Sequence, residues 1–262
     1  MPFSPDQNKL IASTYDRVQA LAVKRIPVAV VTIVRGEKIG AKLLILPDGT
    51  GGTLGSPERD QTAEAIAREM LSNETPGVRV LGDIEVFVDV YPAPPQLVVF
   101  GAVHAAQALV TFARPLGYRL VVVDARQALA TTERFPDVDE LIVEWPDDAY
   151  KHLHITSNTY IAILTHDPKF DEPALLGALA TKAPYIGAIG SRQTNVDRRQ
   201  RLIDSGVDAE SLARVRGPIG LDIGGSTPEE MAISILAEII AVRHGRTGGS
   251  LKQGSGPIRP GG

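Results

Sequence analysis

The segment from Gly101 to Ala106 combines residue types and a spacing that suit the binding of a phosphate group. It follows the apolar run QLVVF and opens a predicted helix, so a tight turn and a helix N-terminus present backbone N–H groups together. In dinucleotide-binding turns the first glycine makes the turn, the second admits the pyrophosphate, and the third allows close helix–strand packing. Gly101 and Ala106 satisfy the first and third positions. Val103 stands at the second, and its side chain weakens the prediction of NAD or NADP binding.

An acidic residue follows the next apolar run, YRLVVVDAR, where nucleotide-binding domains hold a ribose hydroxyl. Asp124 stands 23 positions after Gly101, which is close to the spacing expected of such an acid. Two interpretations stay open: the turn binds a nucleotide, or it merely joins a strand to a helix.

A fourth apolar run, TYIAILTHD, ends in Thr165, His166 and Asp167, at the kind of place where parallel sheets bind ligands. His166 and Asp167 are candidate catalytic residues, because histidine titrates near neutral pH and can move a proton. The alternative is structural: Asp167 caps the following helix and His166 packs.

Gly190, Ser191 and Arg192 follow a fifth apolar run and carry the groups needed to hold an anion. Glycine permits close approach, serine can donate a hydrogen bond, and arginine can clamp an anion with two donors. Further arginines follow on a predicted helix, and we expect them to form a solvated basic face: Arg198, Arg199 and Arg201.

Asp222 and Gly224 precede the last predicted helix and form another candidate anion site. The capping box Thr227-Pro228-Glu229-Glu230 explains much of this segment without any ligand. His152 and His154 lie two positions apart, but no further metal ligands accompany them, so no metal site is predicted.

The elements that must position these residues are apolar strands separated by helices. From residue 96 onward, QLVVF, YRLVVVDAR, LIVEW, TYIAILTHD and PYIGAIGSR alternate with helical segments. Strands that are apolar on both faces are typical of a parallel sheet covered by helices on both sides. We therefore predict an α/β protein with a Rossmann-like domain. Its first helix is expected to bury Ala105, Leu109, Phe112 and Leu116.

A smaller α/β domain is predicted before it. A helix over residues 4–25 precedes the strands PVAVVTIVRG and AKLLILPDGT, a helix that Ser56 caps, and the alternating strand GDIEVFVDVY. The proline-rich stretch YPAPPQ then forms a stiff connector. The predicted domains are residues 1–92 and 95–247, with a Gly-rich flexible tail at 248–262.

Composition excludes several classes of function. The chain has no cysteine, so it carries no disulfide, thiolate nucleophile or iron–sulfur cluster. Its net charge is -4 and its aromatic residues are scattered, which argues against nucleic acid as a partner. No apolar run approaches the roughly 20 residues that span a bilayer, and the N-terminus has no signal pattern. We expect a cytoplasmic protein without a membrane partner.

The segments of the second domain, taken together and in order, resemble the XdhC/CoxI family of accessory proteins for xanthine dehydrogenase and carbon monoxide dehydrogenase. They are GAVHAAQAL, VVVDAR, ERFPDVDELIV, LTHDPKFDEPAL, YIGAIGSRQTNVDRR and GPIGLDIGGSTPEEMAISILAEIIA. The resemblance covers residues 96–243 strongly, whereas PVAVVTIVRG and GTGGTLGSPERD in the first domain are less similar to the family.

This resemblance implies a chaperone that binds the molybdenum cofactor, protects it during sulfuration by a cysteine desulfurase, and helps deliver it to a molybdenum hydroxylase. It also implies a homodimer. The ligand-side positions carried over from the family are Gly101, His104, Asp124, Arg126, Thr165, His166, Asp167, Gly190, Ser191, Arg192, Asp222 and Gly224.

The chain departs from the family pattern in two places. Family members usually have glycine at the position of Val103, and many carry a cysteine in the Gly-rich loop of the first domain, where this chain has none. The chain therefore cannot carry sulfur on its own thiol. The competing interpretation is an NAD(P)-dependent oxidoreductase that uses the Rossmann domain, and a third is a nucleotide-sensing or scaffold protein.

Overall fold

The computed structural model describes residues 5–24 and 26–254. The chain divides into an N-terminal unit, Met1–Ala93, and a C-terminal unit, Pro94–Gly262. Residues 4 and 25, at the ends of the first predicted helix, and residues 255–262 of the predicted tail lie outside the described residues.

The N-terminal unit contains an antiparallel sheet of five strands in the order β3-β2-β1-β5-β4. Its elements are α1 (Pro5–Val23), β1 (Val28–Arg35), β2 (Lys42–Leu46), β3 (Gly49–Gly52), α2 (Pro57–Ser72), β4 (Gly77–Leu81) and β5 (Ile84–Tyr91). The predicted alternation of β5 is confirmed, because Ile84, Val86 and Val88 are buried in the cluster that includes α2. Ser56 caps α2 by accepting a hydrogen bond from the Arg59 N–H at 3.3 Å.

The C-terminal unit contains a parallel sheet of six strands in the order β11-β10-β9-β6-β7-β8. Its elements are β6 (Gln96–Phe100), α3 (His104–Ala113), β7 (Arg119–Val123), β8 (Glu140–Ile142), α4 (Pro146–Ala149), β9 (Thr159–Ile163), α5 (Pro168–Leu179), β10 (Tyr185–Ala188), α6 (Arg192–Asp204), α7 (Ala209–Ala213), β11 (Val215–Arg216) and α8 (Pro228–Arg243).

The strand order of this sheet is that of a dinucleotide-binding domain. The chain enters at the centre with β6, runs outward through β7 and β8, and returns to the other side of β6 with β9. Residues of α3 and α8 cover one face of the sheet, and residues of α5 and α6 cover the other. The predicted α/β class and Rossmann-like fold are confirmed.

Several local predictions differ from the structure. The buried face of α3 consists of Ala106, Leu109, Val110 and Ala113. The predicted face is therefore confirmed at Leu109 and in part at Ala105 and Phe112, which are partly buried against the same core, and it is wrong at Leu116, which is exposed and lies beyond the helix in a 3-10 turn. The short strands β4 and β11 were not predicted, because β4 has mostly exposed side chains and β11 has only two residues.

Candidate functional site

The carboxyl ends of the parallel strands bring the predicted ligand segments to one edge of the sheet. Gly101 follows β6 and Thr165 follows β9, the neighbouring strands between which the strand order reverses. Open parallel sheets bind ligands beyond such a point. Gly101 has a φ of +108°, and a Cβ built on it would lie 2.4 Å from Thr165 Cγ2. Glycine is therefore required where the two loops touch.

Asp124 ties the turn after β6 to the end of β7. Its side chain is completely buried. The carboxylate accepts hydrogen bonds from the Ala102 N–H at 2.7 Å and from the N–H, Nε and Nη2 of Arg126 at 2.7–2.9 Å. These bonds fill the roughly four acceptor sites of a carboxylate. A ribose hydroxyl would have to displace one of these donors.

Hydrogen bonding keeps Asp124 ionised in spite of its burial. Burial alone raises the pKa of this carboxyl, but the donors of Arg126 and Ala102 outweigh it and leave the pKa below its ordinary value. The same hydrogen bonding raises the pKa of Arg126, and the charge of Asp167 adds to that effect. The loops after β7 and β9 are therefore coupled electrostatically.

The start of α3 has backbone donors that no side chain of the N-cap residue satisfies. The N-cap residue is Val103, which makes no capping hydrogen bond and is packed, partly buried, against the core beneath α3 and α8. His104, the first helical residue, is exposed. Arg134 supports the turn by donating to the Ala102 carbonyl at 2.8 Å. The helix start thus offers N–H groups and an exposed imidazole to a ligand.

The loop after β9 has a buried part and an exposed part. Thr165 is buried, and its hydroxyl donates to the Asp171 carboxylate. Asp167 caps α5 by accepting a hydrogen bond from the Lys169 N–H at 3.0 Å. His166 is exposed. Asp167 therefore has the capping role considered above as the structural alternative, whereas His166 does not pack into the core.

Arg198 also lies at this edge of the sheet, although the sequence pattern of its helix does not predict that it is buried. The prediction of a solvated basic face is wrong for Arg198, which lies on the buried side of α6. Arg199 and Arg201 are exposed. The Arg198 guanidinium pairs with Asp171 at 3.0 Å, and their side chains are 4% and 2% exposed. It also donates to the Ile189 carbonyl at 3.0 Å.

This buried pair joins the loops after β9 and β10. Asp171 holds Thr165 on one side, and Arg198 donates to Asn195 Oδ1 at 2.8 Å on the other. The Asn195 amide in turn donates to the Gly190 carbonyl at 3.1 Å. Burial raises the pKa of Asp171 to about 6, and the charge of Arg198 offsets this only in part.

A cavity of about 250 Å³ lies between the loop after β10 and the start of α8. Its lining includes Gly190 together with Asp222 and Gly224, three of the residues that the sequence singles out. Ser191 caps α6 by accepting a hydrogen bond from a backbone N–H at 3.0 Å. Arg192 is the first residue of that helix and is exposed.

Glu238, which sequence reasoning missed, anchors one wall of this cavity. It lies on α8 and accepts hydrogen bonds from the Tyr185 hydroxyl at 2.7 Å and the Gly220 N–H at 2.9 Å. The segment that it holds contains the cis peptide Gly217-Pro218. Because Glu238 lies far along an apolar helix, only its isolated charge among the apolar residues of α8 could have signalled this role.

The predicted site residues thus fall into two groups along one edge of the sheet, joined by Asp171 and Arg198. The first surrounds the reversal of strand order and comprises Gly101, His104, Asp124, Arg126, Thr165, His166 and Asp167. The second lies at or next to the cavity and comprises Gly190, Ser191, Arg192, Asp222 and Gly224. Among the described residues, no group of three histidine or carboxylate side chains could hold a metal ion.

No helix in the described part of the chain is long and apolar enough to cross a membrane.

Comparison with protein families matches both units of the chain. A family described as the XdhC Rossmann domain matches residues 97–239. A family described as the XdhC and CoxI family matches residues 21–82. The second match lies in the domain where the sequence resemblance is less complete.

Three curated proteins are similar in sequence. An uncharacterized protein, YqeB of Escherichia coli K12, is 32% identical over 67% of this chain and 32% of its own length. A Bacillus subtilis protein, named as a probable xanthine dehydrogenase subunit, is 31% identical over 60% of this chain and 46% of its own length. The molybdenum cofactor insertion chaperone PaoD of E. coli K12 is 28% identical over 56% and 40%. The matched region spans less than half the length of each relative.

A solved structure has the same fold. A Bacillus halodurans protein, titled a xanthine dehydrogenase, aligns with a TM-score of 0.55 and 23% sequence identity. The alignment covers 87% of this chain and 93% of that one.

Proposed function

Because this chain belongs to the XdhC and CoxI family, we propose that it binds the molybdenum cofactor and assists its sulfuration and its insertion into a molybdenum hydroxylase. One curated relative is named as an insertion chaperone for this cofactor. The proposal extends that role to this chain.

The observation that carries the proposal is the cavity beside Gly190. Its lining is mostly apolar but includes the Asp222 carboxylate, and hydrogen bonds through Asn195 connect the cavity to a buried ion pair. A pterin has amine and amide edges, and the Asp222 carboxylate and the backbone of Gly190 and Gly224 suit such groups. Arg192 would clamp the cofactor phosphate, and the start of α3 at His104 offers further donors. The residues present therefore fit the cofactor.

The sulfur must come from another protein, because this chain has no cysteine. We therefore propose a cysteine desulfurase as one partner and a molybdenum hydroxylase of the xanthine or carbon monoxide dehydrogenase type as the other. A homodimer in the cytoplasm completes the proposal. Light scattering that returns the mass of one chain would contradict the dimer.

The second candidate function is an NAD(P)-dependent oxidoreductase. The strand order and the Gly101 turn favour it, since both are features of dinucleotide-binding domains. Two observations weigh against it. The Asp124 carboxylate is fully occupied by protein donors, and Val103 replaces the glycine that lets a pyrophosphate approach.

Anaerobic calorimetric titration distinguishes the two functions. The purified chain is titrated with molybdenum cofactor, NADH and NADPH, and we expect saturable binding of the cofactor alone, near one per chain. Arg192→Lys should weaken that binding on the order of tenfold, because lysine keeps the charge and loses the two-pronged geometry. Arg199→Lys, at an exposed arginine of the same helix, is the control. Nicotinamide binding without cofactor binding would favour the oxidoreductase.

A further inference from the structure

Trp145 presents a large aromatic surface at the same edge of the sheet, apart from the residues assigned above to the cofactor. It follows β8 and immediately precedes α4. It is the one tryptophan of the chain, and 51% of it is exposed. Tryptophan carries the largest apolar surface of any side chain, so leaving half of it in water forfeits burial that a ligand or partner can recover.

Buried aromatic rings pack against the side of this indole that faces the protein. The centroid of Trp145 lies 5.9 Å from that of Phe170, and Phe170 lies 6.5 Å from Phe100. Both phenylalanines are buried, and Tyr150 stacks on Phe100 at 5.1 Å. Trp145 is therefore the solvent-facing end of a packed aromatic row, and ordering it for binding costs little side-chain entropy.

The row connects Trp145 to the loops of the candidate site. Phe100 is the residue before Gly101, and Phe170 lies in the first turn of α5, next to the Asp167 cap. Strand β8 pairs with β7 so that Ile142 lies opposite Val123, the residue before Asp124. The exposed ring therefore lies near the segments that carry Asp124, Arg126 and Asp167.

We propose that Trp145 is a stacking platform for a flat, nitrogen-rich heteroaromatic ring on a phosphate-bearing ligand. This inference rests on the proposed function, because it assigns a ring of the bound cofactor to a second place along the same edge. A pterin and a nucleotide base share this chemistry, and each offers a π-face that an indole can cover. The exposed guanidinium of Arg126 provides a cation for the attached phosphate.

Tryptophan fluorescence tests the proposal directly, since all tryptophan emission of the chain comes from Trp145. Under anaerobic conditions, the full chain is titrated with molybdenum cofactor, a 6-substituted pterin, AMP and inorganic phosphate. We expect saturable quenching by the cofactor and by at least one of the two ring compounds, and none by phosphate. Quenching by AMP assigns the nucleotide end of the ligand to Trp145 and leaves the pterin at the cavity beside Gly190, whereas quenching by the pterin places the pterin at Trp145 and overturns its placement in that cavity.

Calorimetry on variants separates stacking from structural support. Trp145→Leu should raise the cofactor Kd about tenfold, which is about 1.4 kcal/mol, because it removes the aromatic face on which the ring stacks. Trp145→Phe keeps an aromatic ring and should bind more tightly than Trp145→Leu. Val143→Ala changes another exposed residue of the same segment and should leave the Kd unchanged.

The failures of the two proposals have different signatures. Cofactor binding that all three variants retain would overturn the stacking role and leave the proposed function standing. A parent chain that binds none of the probes would overturn both. Quenching by phosphate alone, or loss of a protein complex with an unchanged cofactor Kd, would show that Trp145 does not stack on a ring of the ligand.

Discussion

Two aspartate–arginine pairs lie at the carboxyl edge of the parallel sheet, and the pKa values of their aspartates are shifted in opposite directions. Asp124 is paired with Arg126, and its pKa is lowered. Asp171 is paired with Arg198, and its pKa is raised to about 6. Both carboxyls are buried, so burial alone does not explain the difference.

The difference lies in the donors that each carboxylate receives and in the neighbouring charges, since Asp167 and Glu172 raise the pKa of Asp171 further. Asp124 accepts two backbone N–H groups and two guanidinium N–H groups. Asp171 accepts one threonine hydroxyl and one guanidinium N–H, because Arg198 also donates to Ile189 and Asn195. A buried carboxylate therefore stays ionised through direct hydrogen bonds rather than through the nearness of an arginine. The first pair fixes a turn, whereas the second joins two loops.

Removing the buried guanidinium should have the largest effect. Arg198→Gln leaves Asp171 in the core without its ion-pair partner, and we expect a loss of about 3–5 kcal/mol in the free energy of unfolding. Urea unfolding at pH 7 measures it. Arg199→Gln, at an exposed neighbour, should change this free energy by less than about 0.5 kcal/mol. Equal stability of the two variants would refute the structural role of the Asp171–Arg198 pair.

The pH dependence of stability should separate the two aspartates. The folded pKa of Asp171 is raised, so its stabilising contribution is fully present below the unfolded pKa and is lost as the pH rises through about 6. The stability advantage of the parent over Asp171→Asn should therefore fall by about 2–3 kcal/mol between pH 4 and pH 7. Urea midpoints across this range measure it.

Asp124 provides the matched control for this measurement. Its folded pKa is lowered, so its contribution is present above the unfolded pKa and is lost only as the pH falls through the folded pKa. The difference between the parent and Asp124→Asn should stay flat from pH 4.5 to pH 7. A slope in this window would show that the two carboxyls titrate alike.

Asp124→Asn should itself destabilise the chain by about 2–3 kcal/mol. An amide can accept at one atom only, so buried donors of Ala102 or Arg126 lose their partner. Chemical denaturation checks this value against Asp137→Asn, which changes an exposed aspartate. Similar stability of the two variants would mean that water replaces the lost bonds.

The smallest effect is expected for Arg126→Gln. The Arg126 side chain is half exposed, and Asp124 keeps two backbone donors without it. We expect a loss of no more than about 1 kcal/mol, since solvent screens an exposed partner. The same substitution thus has unequal costs in the two pairs. A loss as large as that of Arg198→Gln would remove the distinction between them.

The architecture of the C-terminal unit was predictable, because its buried strands are apolar on both faces and helices separate them. The reversal between β6 and β9 was not, since apolar runs carry no information on which strands pair. The predicted face of α3 is rotated from the most deeply buried one, because alanines at 105 and 106 give two overlapping helical periodicities. Short strands such as β11 are defined by their neighbours and leave no pattern of their own.

The candidate site was predictable where its residues follow a strand, as Gly101, Thr165 and Gly190 do. Asp171 and Arg198 lie inside helices, and RQTNVDRRQRLID is typical of an exposed helix. One signal was present: Arg198 stands four residues before Leu202, which is also buried, so the two share a helix face. The site residues that sequence reasoning missed, Asp171, Arg198 and Glu238, lie inside helices and have partners in elements that are distant in the sequence.

The central pairing of the parallel sheet has a consequence for how the chain folds. Neighbouring strands of this sheet are joined by about 20 to 30 residues, but Gln96 of β6 pairs with Thr159 of β9, about 60 residues later. Closing that loop costs the most chain entropy of any pairing in the sheet. The contact between Gly101 and Thr165 therefore forms only when the two halves of the sheet join. A ligand that contacts both Gly101 and Thr165 binds only the assembled sheet. Its binding therefore shifts the equilibrium toward the folded chain by mass action.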